Sequence, residues 1–262
     1  MIGITIQKNA PKINNIMEVH NVKNKIKVKY PTKSNYNCVI PLNIFQTWHS
    51  KLLPIRMSRN IVSLRKNNPK FKYYLFDDKD CEQFIKNNFD QNVLNAFNSL
   101  VPGAYKADLW RYCILYKKGG IYLDIKYGHL NHFKLINLTE SEHWVLDTDR
   151  NGIYNALIVC KPGNEKCWQA ICQIVENVKN RYYGRSKLDP TGPYLLSRIF
   201  TKEEKQAMDM SHEYYLGDLN NRVILFNNIP VLRSYNGYLQ DHKMFKKTDH
   251  YSNLWNSRQI YR

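Results

Sequence analysis

The sequence holds no apolar run approaching the roughly 20 residues that a bilayer-spanning helix needs. Its opening, MIGITIQKNAPKIN, has no basic stretch followed by an apolar core, so a secretory signal is not expected there. No G-x-S-x-G, G-x-x-x-x-G-K or G-x-G-x-x-G occurs, which removes support for serine-hydrolase, P-loop and dinucleotide-binding readings. The eight histidines show no H-x-x-x-H spacing, and His129 and His132 read as polar surface residues flanking a loop. The six cysteines form no C-x-x-C and no tight framework. Cys113 and Cys160 lie inside apolar runs, where a free thiol behaves as a small core hydrophobe, so a reducing cytoplasmic setting is expected. Acids are in short supply: 22 Asp and Glu against 39 Lys and Arg leave a formal charge of +17. That surplus attracts polyanions, whether nucleic acid, anionic membrane or phosphate-bearing small molecules, and does not choose among them.

The 262 residues are 43% hydrophobic and 13% aromatic, enough for a large core and an ordinary globular composition. Residues 1–38 read as a basic N-terminal arm or edge strand. Within it Lys23, Lys25, Lys27 and Lys29 interleave with Val22, Ile26, Val28 and Tyr30, a period-two pattern whose lysines discourage edge pairing. From residue 39 onward strand and helix signals alternate. PLNIFQTW, FKYYLFDD, GIYLDI, HWVLD and NALIVC read as strands, with short ones near 223–226 and 229–232. IRMSRNIVSLRKNNP, CEQFIKNNF, NVLNAFNSLV, EKCWQAICQIVENVK and TGPYLLSRIF read as helices. The clearest helix is GAYKADLWRYCILYKKGG, with Ala107, Trp110, Ile114 and Leu115 at helical spacing and Gly119-Gly120 as its stop. Such alternation predicts an α/β three-layer sandwich around a mostly parallel central sheet. In such sheets ligands sit beyond the carboxyl ends of the strands, where Asp124 stands.

Asp108 and Arg111 lie three apart on that helix and share a face, either as an intrahelical ion pair or as a carboxylate and guanidinium gripping sugar oxygens. Tyr122-Leu123-Asp124 follows within one strand. The combined stretch AYKADLWRYCILYKKGGIYLDIK resembles the signature of glycosyltransferase family 32, the DXD-type sugar transferases that include yeast initiating mannosyltransferases and capsular polysaccharide enzymes and are related to clostridial glucosylating toxins. Ala104, Ala107, Asp108, Arg111, Leu115, Gly119, Gly120, Tyr122 and Asp124 are in register with it. PLNIFQTW resembles the family's opening strand, with Phe45 where histidine is usual, and NPKFKYYLFDD, NALIVCKPGN, TGP at 191–193 and HYSNLW at 250–255 resemble later blocks.

The resemblance implies a GT-A, Rossmann-like fold over residues 39–262 and transfer of a hexose or N-acetylhexosamine from a nucleotide-diphosphate sugar. A UDP-sugar is favoured, a GDP-sugar is the alternative, and retention of configuration is expected. The acceptor is a glycan, protein or lipid, with no specific nucleic acid partner. It implies donor-sugar contacts from Asp108 and Arg111, packing near the nucleotide by Tyr122, and base or ribose contacts from Gln46 and Trp48. Asp124 matches the first acid of the motif, Trp255 closes over the diphosphate, and His250 reaches toward a Mn²⁺ or Mg²⁺ held with Asp124.

The departure is Lys126, which stands where the family has its second acid. Two acids at that spacing share a strand face and converge on one cation. Three readings follow: Lys126 supplies the leaving-group charge itself, Asp124 and His250 retain a metal while Lys126 turns to a phosphate, or Lys126 pairs with Asp124 and turnover is weak. The chain then has rivals to the transferase reading, a catalytically silent nucleotide-sugar binder or a polyanion-binding module. A true D-x-D also occurs as Asp147 and Asp149 in LDTD, outside the family's context; a strand-end loop is the expectation and acceptor-side chemistry the rival. Lacking an anchor, the chain is expected to be a cytoplasmic enzyme of bacterial or large-virus type, working on cytoplasmic, virion- or capsule-associated glycans.

Overall fold

A computed structural model of the chain describes residues 30–215 and 218–262, with the side chains of 215 and 218–221 left aside. The expected lysine-rich edge strand falls on residues outside that range. The described end of the arm runs along the domain: Tyr30 is buried against Phe133 and Phe226, and Val39 and Ile40 donate their amides to the Thr139 carbonyl.

The chain forms β1 (Asn43–Thr47), α1 (Ile55–Asn67), β2 (Lys72–Phe76), α2 (Asp78–Asn88), α3 (Gln91–Ser99), α4 (Gly103–Lys118), β3 (Gly120–Leu123) and β4 (Tyr127–His129). It continues through β5 (Val145–Leu146), β6 (Leu157–Cys160), α5 (Glu165–Lys179), α6 (Pro193–Ile199), α7 (Lys202–Gln206), β7 (Met210–Tyr215), β8 (Asp218–Phe226), β9 (Ile229–Ser234), α8 (Tyr238–Phe245) and α9 (Tyr251–Asn256). The central sheet has the order β2-β1-β3-β6. Its β1–β2 and β1–β3 pairings are parallel, as expected, and only β6 runs antiparallel, against β3.

Strand pleating divides the core. Phe45, Tyr122, Ile158 and Cys160 face the helical layer of α2–α5. Their neighbours Ile44, Ile121, Leu123, Leu157 and Val159 face the opposite way, onto Met210, Ile224, Val231 and Leu232. Alternate residues of one strand enter opposite cores, so a sheet covered on both faces requires apolar residues at every position, which GIYL and LIVC supply. The second covering is a sheet in the order β4-β9-β8-β7-β5, antiparallel except where β5 joins β7. Its antiparallel character was not expected. HWVLD shortens to two strand residues and joins this sheet, while His129, expected at the surface, lies half-buried in β4. The layered α/β architecture is otherwise the one expected.

The local signals operate as their chemistry requires. Asp77 and Asp80 form a capping box on α2, Asp90 caps α3 and Asn164 caps α5, each satisfying amides that the first turn leaves open. Helix α4 stops at Gly119, whose φ of +58° is followed by +118° at Gly120. A Cβ on Gly119 would fall 2.5 Å from Pro162 Cδ, and one on Gly120 2.8 Å from the Asn43 carbonyl oxygen. Left-handed backbone and close packing coincide there, so glycine is required twice over. Cys113 and Cys160 are free and buried, as expected.

Candidate functional site

The Gly119-Gly120 reversal sends β3 back along α4. Counting eight residues back into the helix at about 1.5 Å each gives ~12 Å, and four residues along the strand at about 3.3 Å gives ~13 Å. Arg111 therefore comes level with Asp124 at the carboxyl end of β3. The structure joins them: Arg111 Nη1 lies 3.6 Å from Asp124 Oδ1, and Arg111 Nη2 lies 3.1 Å from Asp108 Oδ1.

This constellation is buried and nearly saturated. Arg111 donates through Nε to the Ala107 carbonyl at 3.2 Å and through Nη1 to the Asn155 carbonyl at 2.6 Å, and its guanidinium lies 4.3 Å from the Tyr122 ring centre. Asp108 accepts from Asn155 Nδ2 at 2.9 Å on one oxygen and from the Thr191 hydroxyl at 2.7 Å on the other. The Asn155 amide also reaches the Tyr112 hydroxyl, and Tyr112 donates to the Thr191 carbonyl. Asn155 and Thr191 open the blocks NALIVCKPGN and TGP, so their signal lay in those blocks, although no role could be read from them.

Asp124 directly follows β3, and Ile125 and Lys126 already belong to a turn closed by the Tyr127 amide on the Asp124 carbonyl at 3.0 Å. The strand was expected to run through Ile125, with residues 124 and 126 sharing a pleated face. They meet instead because the turn folds Lys126 back, Nζ to Asp124 Oδ2 at 3.0 Å. The other carboxylate oxygen accepts from the Tyr122 hydroxyl at 2.9 Å. Three tyrosine rings surround the ammonium, with centres 5.3 Å (Tyr127), 5.5 Å (Tyr154) and 6.0 Å (Tyr238) away. None of the three stood out in the sequence, since single aromatics carry no spacing signal.

The two acids are driven apart in acidity. Burial raises Asp108 to about 6, its ion pair with Arg111 and its hydrogen bond from Thr191 offsetting this only in part. Burial also works to raise Asp124, but the charges of Lys126 and Arg111, with hydrogen bonds from Lys126 and Tyr122, outweigh it and hold that carboxyl below its usual value. Burial likewise works against the charge on Lys126 and is outweighed by Tyr154, Asp124 and Tyr238, so the amine stays protonated. A carboxylate held ionised beside one poised near neutrality is the pattern by which sites separate charge stabilisation from proton exchange.

Other expected residues sort differently. Gln46 is fully buried, and its amide is spent inside the protein. Nε2 donates to the Leu123 carbonyl at 3.1 Å and lies 3.4 Å from that of Asp124, while Oε1 accepts from the Tyr73 hydroxyl at 2.9 Å. It braces the strand end that carries Asp124 rather than offering an amide to a base or ribose. Trp48 is buried with Met57, Ile61 and Ile125, against the His49 and His242 rings, and its indole N–H has no partner. Trp255 donates to the Tyr183 carbonyl at 2.7 Å, at the rim of the helical core. One turn earlier on the same helical face, Tyr251 lies where the charges of Lys126 and Asp108 act on it.

A divalent ion bound by Asp124 and His250 does not fit these residues. Both Asp124 oxygens are committed to Lys126, Tyr122 and Arg111, and two cations already flank the carboxylate. His250 caps α9, accepting from the Ser252 amide at 3.3 Å, and packs on Tyr251 rather than meeting Asp124. Among the described residues no three His, Cys, Asp or Glu side chains converge. The D-x-D at 147–149 is a strand-end turn, as expected. Asp149 accepts the Asn151 and Gly152 amides and the Tyr194 hydroxyl, and Asp147 accepts the Thr148 amide and pairs with buried His212 at 2.8 Å. No helix among the described residues is long and apolar enough to cross a membrane.

Residues 54–144 match the family model described as a glycosyltransferase sugar-binding region containing a DXD motif. The chain is 30% identical over 173 residues to the inositol phosphoceramide mannosyltransferase 3 of Schizosaccharomyces pombe, an alignment spanning 66% of this chain and 48% of that protein. It is 35% identical over 91 residues to the initiation-specific alpha-1,6-mannosyltransferase of Candida albicans, spanning 32% of this chain and 24% of that one. The chain thus spans about half or less of the length of these curated relatives. Among solved structures, the PaToxG glycosyltransferase superposes with a TM-score of 0.46 at 16% identity, over 72% of this chain and 76% of that one.

Proposed function

Residues 54–144 belong to the glycosyltransferase sugar-binding region containing a DXD motif, and from that premise we propose that the protein transfers a hexose from a nucleotide-diphosphate sugar to a glycan, protein or lipid acceptor. The observation that carries this reading is the buried Asp108–Arg111–Asp124 constellation at the carboxyl end of β3, inside the matched segment. Buried acids and a guanidinium at a strand end present fixed acceptors and donors to sugar hydroxyls, and preorganised groups of this kind stabilise charge as it develops on a departing phosphate.

Within this reading the donor sugar rests against Asp108 and Arg111, and the nucleotide extends along the Tyr122 and Trp48 side. Mannose is the sugar named for the relatives above, which favours a mannosyl donor; a UDP-hexose remains the rival. Retention follows, in this reading, from positioning of the donor and stabilisation of the leaving group by the site's fixed charges.

Incubation with GDP-mannose, UDP-glucose, UDP-galactose and UDP-N-acetylglucosamine, each with a panel of glycan and glycolipid acceptors, tests the proposal. Expected is release of nucleoside diphosphate from one donor together with a glycosylated product whose anomeric configuration matches the donor's. The Lys126–Asp124 contact is the one observation favouring a silent binder. Donor binding without nucleoside diphosphate release would establish that reading, and neither binding nor release would overturn both.

A further inference from the structure

The position of the family's second acid is filled by an ammonium, and its surroundings show how that ammonium is held. We infer that this site binds the diphosphate of its donor without a divalent ion, with Lys126 and Arg222 as the cations that face it. The inference rests on the nucleotide-sugar reading given above and deepens it.

Charge is the first argument. An acid together with the divalent ion it helps to bind carries one net positive charge, and the single Lys126 ammonium carries the same charge. The substitution therefore conserves the field offered to a diphosphate while removing a ligand from the metal's coordination shell. Asp124 is the second argument. With Lys126 at 3.0 Å on one oxygen and Tyr122 and Arg111 on the other, it holds a cation already, supplied by its own chain. A metal at Asp124 would have to displace Lys126 and stand close to two fixed positive charges.

The third argument is that Lys126 is built into place rather than free at the surface. Its side chain is 17% exposed, lodged among the rings of Tyr127, Tyr154 and Tyr238 at distances suited to cation–π attraction. Those rings are themselves fixed. Tyr127 and Tyr154 share a hydroxyl hydrogen bond of 2.8 Å, and Tyr154 stacks on His212 with ring centres 3.6 Å apart, His212 being anchored by Asp147. Of the three N–H donors of an ammonium, one faces Asp124 and one Tyr154, which leaves a third for a ligand oxygen.

Arg222 is the second cation. It rises from β8 beside Tyr214, and its charge acts on Tyr154, Tyr127 and Asp147, and together with that of Lys126 on Tyr251. Among the described residues no carboxylate pairs with it. Two cations whose charges both act on Tyr154, one braced and one without a carboxylate partner among the described residues, supply the positive charge that a nucleoside diphosphate calls for. Lysine serves there as a point charge and arginine as a fork.

Calorimetric titration of the full chain with UDP, GDP, UDP-glucose and GDP-mannose, in EDTA and again in Mn²⁺, tests this directly and needs no variant. Expected is one nucleotide that binds with a Kd unchanged within about threefold by EDTA. Lys126→Met should weaken that nucleotide by about tenfold or more in either condition, and Arg222→Gln should weaken it by a similar factor. In Lys126→Asp, whose folding is checked by circular dichroism, nucleotide binding should become dependent on Mn²⁺, and electron paramagnetic resonance should show bound Mn²⁺ that the unaltered chain lacks. Binding by the unaltered chain only in Mn²⁺ would overturn the inference while leaving the transferase reading intact. Failure to bind any nucleotide in both conditions would overturn the two together.

Discussion

Asp108 offers a test of whether burial or ion pairing governs this site. Its carboxyl is raised from 3.8 to about 6 in the folded chain, with burial the largest cause and Arg111 the chief opposing one. A carboxyl raised in this way keeps its proton in the native state while the unfolded chain has already lost it. Its contribution to stability is therefore fully present below pH ~4 and is lost as pH climbs through about 6. At about 1.4 kcal/mol per unit, the loss between pH 4 and pH 7 comes to about 2–3 kcal/mol. Asp108→Asn removes that ionisation while keeping the shape: the amide oxygen can still accept from Asn155 and Arg111, and the Thr191 hydroxyl can turn to accept from the amide nitrogen. The difference in unfolding free energy, variant minus unaltered chain, should rise by about 2–3 kcal/mol from pH 4 to pH 7 in guanidinium titrations. A difference flat to within about 0.5 kcal/mol, below the measurement's own scatter, would show that Arg111 outweighs burial and refute the assignment.

Other sites give independent checks. Gln46→Leu leaves the Leu123 carbonyl and the Tyr73 hydroxyl without their buried partner and should cost about 1–3 kcal/mol by denaturant titration. Because the strand end carrying Asp124 loses its brace, donor affinity should fall as well; unchanged affinity would place Gln46 outside the site's support. Gly119→Ala sets a side chain at φ +58° against Pro162. It should lower stability by at least about 2 kcal/mol, read as a fall in melting temperature, and an unshifted melt would contradict the close approach. Tyr122→Phe removes the hydroxyl that Asp124 Oδ1 accepts from, and turnover should drop about tenfold with the fold intact by circular dichroism. Arg111→Lys keeps the charge but not the fork that reaches Asp108, Asp124 and the Asn155 carbonyl, so it should reduce kcat/KM by about 100-fold. A variant within threefold of the unaltered enzyme would show that the geometry of this cation is immaterial.

Much of the architecture was legible because short-range chemistry decides it. The stop at Gly119-Gly120 and the doubly apolar strands GIYL and LIVC each act within a few residues, and the helix and strands they define formed near their expected bounds. Asp108 and Arg111 were legible as a pair because three residues on a helix share a face whatever surrounds them. The resemblance then tied that pair to Asp124 across a turn whose geometry the two glycines dictate.

What lay beyond the sequence depended on which segments meet in space. Nothing local distinguishes Tyr154, Tyr238 or Arg222 from other aromatics and cations; the stretch before β6 and the start of α8 bring the two rings to Lys126, and β8 brings Arg222 within the field of Tyr154. The roles of Gln46 and His250 were likewise undecidable, because a polar side chain serves ligand or scaffold according to what already fills its hydrogen bonds. Composition and period thus determined the alternation of strands and helices, the helix stop and the acid–guanidinium pair. Long-range packing decided the ammonium's cage and the acidity of the two carboxyls, since burial and neighbouring charge are properties of the assembled interior.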